Sequence, residues 1–247
     1  MRLAATLLAV AACITLTSPA AQCATGVQKV IFESGGLRRA YYVFVPASVA
    51  PGTPAPVLVL LHGSGGTGSE ITRYWTELAR AQGLMLLAPN SKDGIYWRLK
   101  EDSPGFIRDA VESVAAAHPL DRRRVYLFGQ SGGAVYALTL GMLESEYFAA
   151  VAVHAGSWRE PANYDVLKLA QRKIPVAIFV GDSDPFFSVK SVRETEDAMR
   201  GAGHPVSVTV LPRHQHSLTP VAPQVTAAAW QFLKDTALSG EPRYIAF

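Results

Sequence analysis

The stretch Leu127-Phe128-Gly129-Gln130-Ser131-Gly132-Gly133-Ala134 places one serine between two glycines, directly after an apolar run. Glycine is favoured where the backbone bends sharply or where another group approaches closely. The residues before Ser131 read as the end of a buried strand, and residues 132–143 read as a helix. A serine between a strand and a helix lifts its hydroxyl above the carboxyl edge of a sheet. The pattern therefore predicts a nucleophile elbow at Ser131.

Apolar runs alternate with amphipathic stretches along the rest of the chain. Residues 57–61, Val-Leu-Val-Leu-Leu, are continuously apolar, as expected of a strand that is covered on both faces. Further strands are predicted over residues 27–32, 41–45, 84–88, 125–128, 149–153, 176–180 and 206–211. Strands that alternate with helices indicate an α/β fold with a mostly parallel central sheet and helices on both faces.

Four more helices are predicted between these strands. One covers residues 71–82 and ends before Gly83, and a second opens at Ser103-Pro104, because proline is favoured at the first helical position. Ser191 and Glu194 have the spacing of a capping box, so a third helix is expected over residues 189–200. The last is expected over residues 221–236.

Composition sets few limits on function. The 247 residues are 49% hydrophobic and 17% charged, which suits one folded catalytic domain over residues 25–247. The net charge of +3 is spread along the chain, and the run Arg122-Arg123-Arg124 reads as a solvated loop. We therefore expect no nucleic-acid partner.

The first 24 residues have the order of a secretory signal peptide. A basic start, Met1-Arg2, is followed by an apolar run over residues 3–16 and then by small residues, so cleavage is expected between Ala20 and Ala24. The run is shorter than the about 20 residues that a transmembrane helix needs. We expect a secreted or periplasmic protein without stable membrane association. The small residues before Cys13 leave lipoprotein anchoring as an alternative.

Cysteine usage agrees with a domain that is held together by its core. The chain has two cysteines, Cys13 and Cys23, and both lie in the predicted leader. No disulfide is therefore expected within residues 25–247.

An acid and a histidine follow Ser131 in the order that a serine hydrolase of this fold requires. The strand at 176–180 is followed by Gly181-Asp182-Ser183-Asp184, and the strand at 206–211 by Pro212-Arg213-His214-Gln215-His216. Both loops leave the same sheet edge as Ser131, where a base and the group that orients it can activate the serine. The residues alone leave Asp182 or Asp184 as the acid and His214 or His216 as the base.

Backbone N–H groups are expected to stabilise the oxyanion of such a reaction. One comes from Gln130 or Gly132 beside the serine, and the other from Ser64 in the loop that follows the strand at 57–61. His62 at the start of that loop is interpreted as structural. The pair His214-x-His216 lacks a nearby third ligand, so neither a metal nor an organic cofactor is expected.

Aromatic residues follow several strands on the catalytic edge. Trp97, Trp158 and Phe186 are predicted to bind substrate, with Tyr96 and Phe187 beside them. Ordinary packing of these rings is an equally open interpretation.

These motifs resemble the α/β-hydrolase esterases related to polyhydroxybutyrate depolymerases and to feruloyl or acetyl-xylan esterases. The matching segments are residues 39–46 (RAYYVFVP), 61–63 (LHG), 88–90 (APN), 129–133 (GQSGG) and 181–184 (GDSD). The resemblance implies an α/β-hydrolase fold and an ester hydrolase without cofactors. In such esterases the acid is the fourth residue of a G-x-x-D turn, which is Asp184 here, and His216-Ser217 resembles the pattern around the base. This sequence departs from the family pattern at the base, because it has two histidines, His214 and His216, where relatives often show one.

The resemblance implies a small-molecule or oligomeric ester as substrate. No appended carbohydrate- or polymer-binding module is recognised, and no lid segment is inserted between the strands, so short-chain or aryl esters of the feruloyl or hydroxyacid type are favoured. A serine peptidase of the same fold and a non-catalytic hydrolase-like binding protein are the alternatives. The oligomeric state is left open.

Overall fold

The computed structural model describes residues 26–245, so the predicted leader and its two cysteines lie outside the described residues. The strands are β1 Gln28–Ser34, β2 Leu37–Phe44, β3 Ala55–Leu61, β4 Met85–Pro89, β5 Leu120–Gln130, β6 Ala150–His154, β7 Val176–Gly181 and β8 Val206–Leu211. The helices are α1 Gly68–Arg73, α2 Thr76–Gln82, α3 Pro104–Ala117, α4 Gly132–Leu143, α5 Pro161–Tyr164, α6 Val189–Gly201 and α7 Ala222–Leu233. Among these helices, none has the length and apolar character that a bilayer crossing requires.

All eight strands form one sheet in the order β1-β2-β4-β3-β5-β6-β7-β8. Strand β2 is antiparallel to both of its neighbours, and the pairings from β4 through β8 are parallel. Strands β1 and β2 are joined by Gly35-Gly36, whose φ angles of 57° and 72° give the two-residue hairpin that glycine permits. The predicted α/β-hydrolase fold with a mostly parallel sheet is confirmed.

The sheet is covered on both faces because successive side chains of a strand point to opposite sides. Val57, Val59 and Leu61 of β3 pack with residues of α3, α4 and α6. Leu58 and Leu60 pack on the other face with residues of α1, α2 and α7. Full burial of one such leucine contributes about 1.5–3 kcal/mol, so the continuous apolar run identifies a central strand.

The helix predicted over residues 71–82 is instead two short helices. A capping box between Thr67 and Glu70 starts α1 at Gly68, earlier than predicted. At its end the N–H groups of Tyr74 and Trp75 donate to carbonyls three residues back, which tightens the turn before α2 begins. This break buries Trp75 completely, with its ring edge on Phe128 at 4.8 Å between centroids.

The remaining helices follow the prediction closely. Helix α3 begins at Pro104, and the hydroxyl of Ser103 accepts the N–H of Phe106. Helix α6 is capped by Ser188, whose hydroxyl accepts the N–H of Ser191, so the capping box predicted from Ser191 was wrong. Helix α7 ends at Leu233, three residues before the predicted end. The short helix α5 was not predicted.

Candidate active site

Ser131 lies on a sharp turn between β5 and α4. Its backbone has φ 54° and ψ −119°, a region that residues other than glycine rarely adopt, and its N–H donates to the carbonyl of His154 at 3.0 Å. The flanking glycines are required by close packing: a Cβ at Gly129 would overlap the carbonyl of Gly133, and a Cβ at Gly133 would overlap the carbonyl of Leu61. The G-x-S-x-G pattern therefore allows a strained turn that exposes the serine.

The structure brings Ser131, His216 and Asp184 into one hydrogen-bonded chain. His216 Nε2 lies 2.9 Å from Ser131 Oγ, and His216 Nδ1 lies 2.9 Å from Asp184 Oδ2. The other carboxylate oxygen of Asp184 accepts the N–H groups of Phe186 and Phe187 at 2.8 and 2.9 Å. These bonds orient the carboxylate, and the carboxylate in turn orients the imidazole toward the serine.

The environment of Asp184 favours its ionised form. Burial of this carboxyl opposes ionisation, but the hydrogen bonds from Phe187, His216 and Phe186 outweigh burial and lower the pKa of Asp184. A carboxylate beside Nδ1 leaves Nε2 of a neutral ring as the acceptor for the Ser131 hydroxyl. This is the arrangement in which a serine can lose its proton to a base.

The other acid and histidine of the two loops have different partners. The carboxylate of Asp182 accepts the N–H groups of Arg213 at 2.8 Å and His214 at 3.2 Å, and the bond from Arg213 is the main cause of its lowered pKa. The side chain of His214 is buried and faces His154. Asp182 thus shapes the loop that carries both His214 and His216. Of these two side chains, His216 is the one that reaches Ser131.

Ser64 and Gly132, two of the predicted oxyanion donors, lie next to each other beside Ser131. A Cβ on Gly132 would lie 3.5 Å from the nitrogen and 2.5 Å from the hydroxyl oxygen of Ser64, so the two residues approach as closely as glycine allows. Within residues 26–245, neither the N–H of Ser64 nor that of Gly132 donates to a backbone or side-chain acceptor. Gln130, the other predicted donor, is still part of β5, and its side-chain carbonyl lies against Gly63.

His62 supports the loop that carries Ser64. Its Nδ1 lies 2.8 Å from the carbonyl of Gly63, and its Nε2 accepts the N–H of Ser91 at 3.1 Å. Burial lowers the pKa of His62, which keeps the ring neutral and able to donate on one side and accept on the other. This matches the structural role predicted for His62. In the described part of the chain, no three His, Cys, Asp or Glu side chains are grouped so as to hold a metal ion.

The predicted aromatic residues occupy three different environments. Phe186 is 61% exposed and meets His216 edge-on, with the ring centroids 4.9 Å apart, while the buried Phe187 stacks on the same imidazole. Trp97 is half-buried, and its indole N–H donates to the carbonyl of His62 at 2.8 Å, so it backs the Ser64 loop. Tyr96 beside it is exposed.

The prediction for Trp158 was wrong, because this side chain does not face the site. Its exposure is 0%, and its indole N–H donates to Thr139 of α4 at 3.2 Å. The backbone N–H of Trp158 also donates to Thr195 of α6 at 3.0 Å. The segment after β6 therefore turns inward, and Trp158 fills the space between two helices.

A cleft that was not predicted runs along α1 beside the Ser64 loop. Its volume is about 420 Å³, and its lining includes Thr67, Arg73, Tyr74 and Leu218. The Tyr74 hydroxyl lies 2.8 Å from the Thr219 hydroxyl and so ties α1 to the segment that follows His216. The capping box at Thr67 was the available sequence signal, because it starts α1 directly after the Ser64 loop.

Comparison with known sequences gives a family match over most of the chain. The model of the dienelactone hydrolase family matches residues 40–236. NocK of Nocardia uniformis subsp. tsuyamanensis, a protein with a provisional esterase name, is 30% identical over 183 residues. That alignment covers 68% of this chain and 51% of NocK, so the chain spans about half the length of the curated relative it matches.

Solved structures share the fold at low sequence identity. A poly(3-hydroxybutyrate) depolymerase, LpqC from Bordetella parapertussis, superimposes with a TM-score of 0.67 at 20% identity, covering 83% of this chain and 90% of LpqC. A ferulic acid esterase gives a TM-score of 0.64 at 18% identity, with 85% and 98% of the two chains covered. An acylaminoacyl peptidase gives 0.69 at 16% identity, with 90% and 43% covered. The predicted likeness to these esterases is confirmed at the level of the fold.

Proposed function

Because this chain belongs to the dienelactone hydrolase family, we propose that it is a serine hydrolase that cleaves carboxylic esters. One observation carries the proposal: Ser131 Oγ, on a strained turn, lies 2.9 Å from a histidine nitrogen whose ring is held by Asp184. A nucleophile, a base and an orienting acid in this arrangement suit acyl transfer.

In the proposed mechanism, Ser131 Oγ attacks the ester carbonyl while His216 Nε2 takes the hydroxyl proton. Asp184 offsets the positive charge that forms on the imidazole. The N–H groups of Ser64 and Gly132 stabilise the oxyanion of the tetrahedral intermediate. His216 then protonates the leaving alcohol, and the same base activates a water molecule that releases the acid from Ser131.

We propose short-chain or aryl esters as the substrates. An exposed aromatic ring, Phe186, borders His216, and a flat aryl acid can stack on such a ring. The cleft along α1, which borders Ser64 and Gln130, presents polar groups of Thr67, Arg73 and Tyr74. A long acyl chain gains about 0.8 kcal/mol for each CH₂ that it buries in apolar surroundings, and these polar side chains interrupt the apolar lining of the cleft.

A panel of esters tests the proposal. The values of kcat/KM are measured for acetyl, butyryl, octanoyl, palmitoyl and feruloyl esters with the wild-type protein and with Ser131→Ala as the matched inactive control. We expect the highest values for acetyl, butyryl or feruloyl esters and a decline toward palmitoyl. A rise toward palmitoyl would refute the substrate proposal, and turnover confined to peptide bonds would favour the peptidase alternative.

We also propose that the protein is exported and that its leader is removed by cleavage between Ala20 and Ala24. The support is the order of a basic start, an apolar run and small residues within this segment. N-terminal sequencing of the protein recovered outside the cytoplasm should begin between residues 21 and 25. Recovery of intact Met1 in the cytoplasmic fraction alone would contradict export.

A further inference from the structure

Two buried histidines lie directly behind the proposed catalytic groups. His154 is the last residue of β6 and is 0% exposed, and His214 is 7% exposed. Their ring centroids are 5.6 Å apart, with an angle of 49° between the ring planes. Neither side chain has a part in the mechanism described above.

The polar atoms of this pair lack other partners. Both ring nitrogens of His154 and the Nε2 of His214 are buried without a hydrogen bond to any residue in the range 26–245. Buried nitrogens of this kind nearly always have a partner, because an unsatisfied polar group costs about 1–3 kcal/mol. At a centroid separation of 5.6 Å, a side-chain rotation that also moves the two rings slightly closer is needed to bring facing nitrogens to a hydrogen-bond distance of about 2.7–3.2 Å.

We propose that His154 and His214 form one hydrogen-bonded unit, and that this unit positions His216 relative to Ser131. It joins two backbone segments that hold the reacting groups. The carbonyl of His154 accepts the N–H of Ser131 at 3.0 Å, and the carbonyl of His214 accepts the N–H of Ser183 at 3.0 Å. A link between the two rings therefore connects the nucleophile turn to the loops that carry Asp184 and His216.

The environment keeps the His154 ring uncharged. Burial lowers the pKa of His154 to about 3, with His214 and His216 acting in the same direction and Asp184 opposing them. A neutral His154 places no further positive charge near Asp184, whose carboxylate remains paired with His216. His154 and His214 are thus proposed as positioning residues, which act through the placement of His216.

This inference rests on the proposed ester hydrolysis, so its test includes a readout that needs no turnover. The variants are His154→Phe and His214→Phe, which keep a ring and remove the nitrogens. His204→Phe is the matched control. His204 is also buried, and its Nε2 has no partner among the described residues, but it precedes β8 and so lies at the end of the strands away from Ser131. His214→Gln tests rescue, since an amide restores a donor and an acceptor.

We expect His154→Phe and His214→Phe each to lower kcat about tenfold or more and to change KM by less than about twofold. The reason is that misplaced catalytic groups slow the chemical step more than they weaken substrate binding. His204→Phe should change kcat less than about twofold, and His214→Gln should recover part of the loss. In NMR spectra the proton of the His216–Asp184 hydrogen bond should shift or broaden in the two phenylalanine variants only.

Several results would overturn the inference. An unchanged His216–Asp184 proton in His214→Phe, or a loss of kcat as large in His204→Phe, would show that the pair only fills space. If His214→Phe does not fold, ring-nitrogen NMR of the wild-type protein decides: a ring proton shared between His154 and His214 should be protected from exchange. Rapid exchange of the ring protons would contradict the unit, whereas an inactive wild-type protein would refute the proposed function alone.

Discussion

The Nε2 of His216 lies 2.9 Å from Ser131 Oγ although 85 residues separate the two in sequence. Ser131 follows β5 in the middle of the sheet, and His216 follows β8 at its edge. Parallel strands bring the loops after their carboxyl ends to one side, so the contact depends on the whole sheet between them. The chemistry of the site is therefore a property of the assembled fold.

Ser131→Ala should abolish ester hydrolysis without unfolding the protein. Loss of the nucleophile of a triad lowers kcat by about 10⁴- to 10⁶-fold. The substitution removes one half-buried hydroxyl and leaves the flanking glycines unchanged, so the circular dichroism spectrum and the melting temperature should remain close to those of the wild type. Retention of even a tenth of the wild-type kcat would place the nucleophile elsewhere.

His216→Ala should be far more damaging than His214→Ala in the same assay. We expect a loss in kcat of about 10⁴-fold for His216→Ala, because the base is removed, and about tenfold for His214→Ala, because only positioning is impaired. Both proteins should be compared at equal folded concentration. A larger loss for His214→Ala would move the base two residues upstream.

Gly132→Ala should impair catalysis through the backbone. The new Cβ would lie 2.5 Å from the Ser64 hydroxyl, which must turn away, and 3.5 Å from the Ser64 nitrogen, where it narrows the approach of an oxyanion to that N–H. Loss of one oxyanion donor lowers kcat by about 10²- to 10³-fold. Gly201→Ala is the matched control, because a Cβ there has no atom within 4 Å. Equal activities of the two variants would exclude the Ser64 and Gly132 pair as the oxyanion site.

Glu144 should make the stability of the protein fall between acid and neutral pH. This carboxyl is 1% exposed at the end of α4, and burial raises its pKa from 4.5 to about 7, although the N–H of Ile245 donates to it at 3.0 Å. The pKa of Glu144 is higher in the folded protein than in the unfolded chain. The contribution of Glu144 to the free energy of unfolding is therefore fully present below pH 4.5 and is lost as the pH rises to about 7.

Glu144→Gln keeps the acceptor for Ile245 and removes the titration. The free energy of unfolding, measured with urea at pH 5 and at pH 8, is compared between Glu144→Gln and wild type. The difference in favour of Glu144→Gln should be larger at pH 8 than at pH 5, by up to about 3 kcal/mol. Glu77→Gln, at an exposed position on α2, is a suitable control. The same pH dependence in wild type and Glu144→Gln would show that Glu144 is not the titrating group.

Much of this architecture could be predicted because its signals are local. The continuous apolar run of β3 and the glycines around Ser131 report burial and close approach directly. The end of α2 at Gln82 agrees with Gly83, whose φ of 61° suits a left-handed cap. The break between α1 and α2 could not be predicted, because it depends on Trp75 finding Phe128 on a distant strand.

Side-chain direction marks the limit of the sequence reasoning at the site. Trp158 follows a strand on the catalytic edge just as Phe186 does, but it turns into the space between α4 and α6. The residues alone leave both His214 and His216 as candidates for the base, because their spacing does not show which ring points toward Ser131. Contacts with residues far away in sequence decide each of these directions.

The position of β8 bears on how the protein loses activity under mild denaturation. An edge strand pairs on one side only, so β8 and the segment after it can open locally while β5, held by β3 and β6, keeps its amide protons from exchange. His216 would leave Ser131 during such openings without any change in the core. Hydrolytic activity should then disappear at a lower urea concentration than the one at which the β5 amide protons lose their protection from exchange, since that loss reports global unfolding.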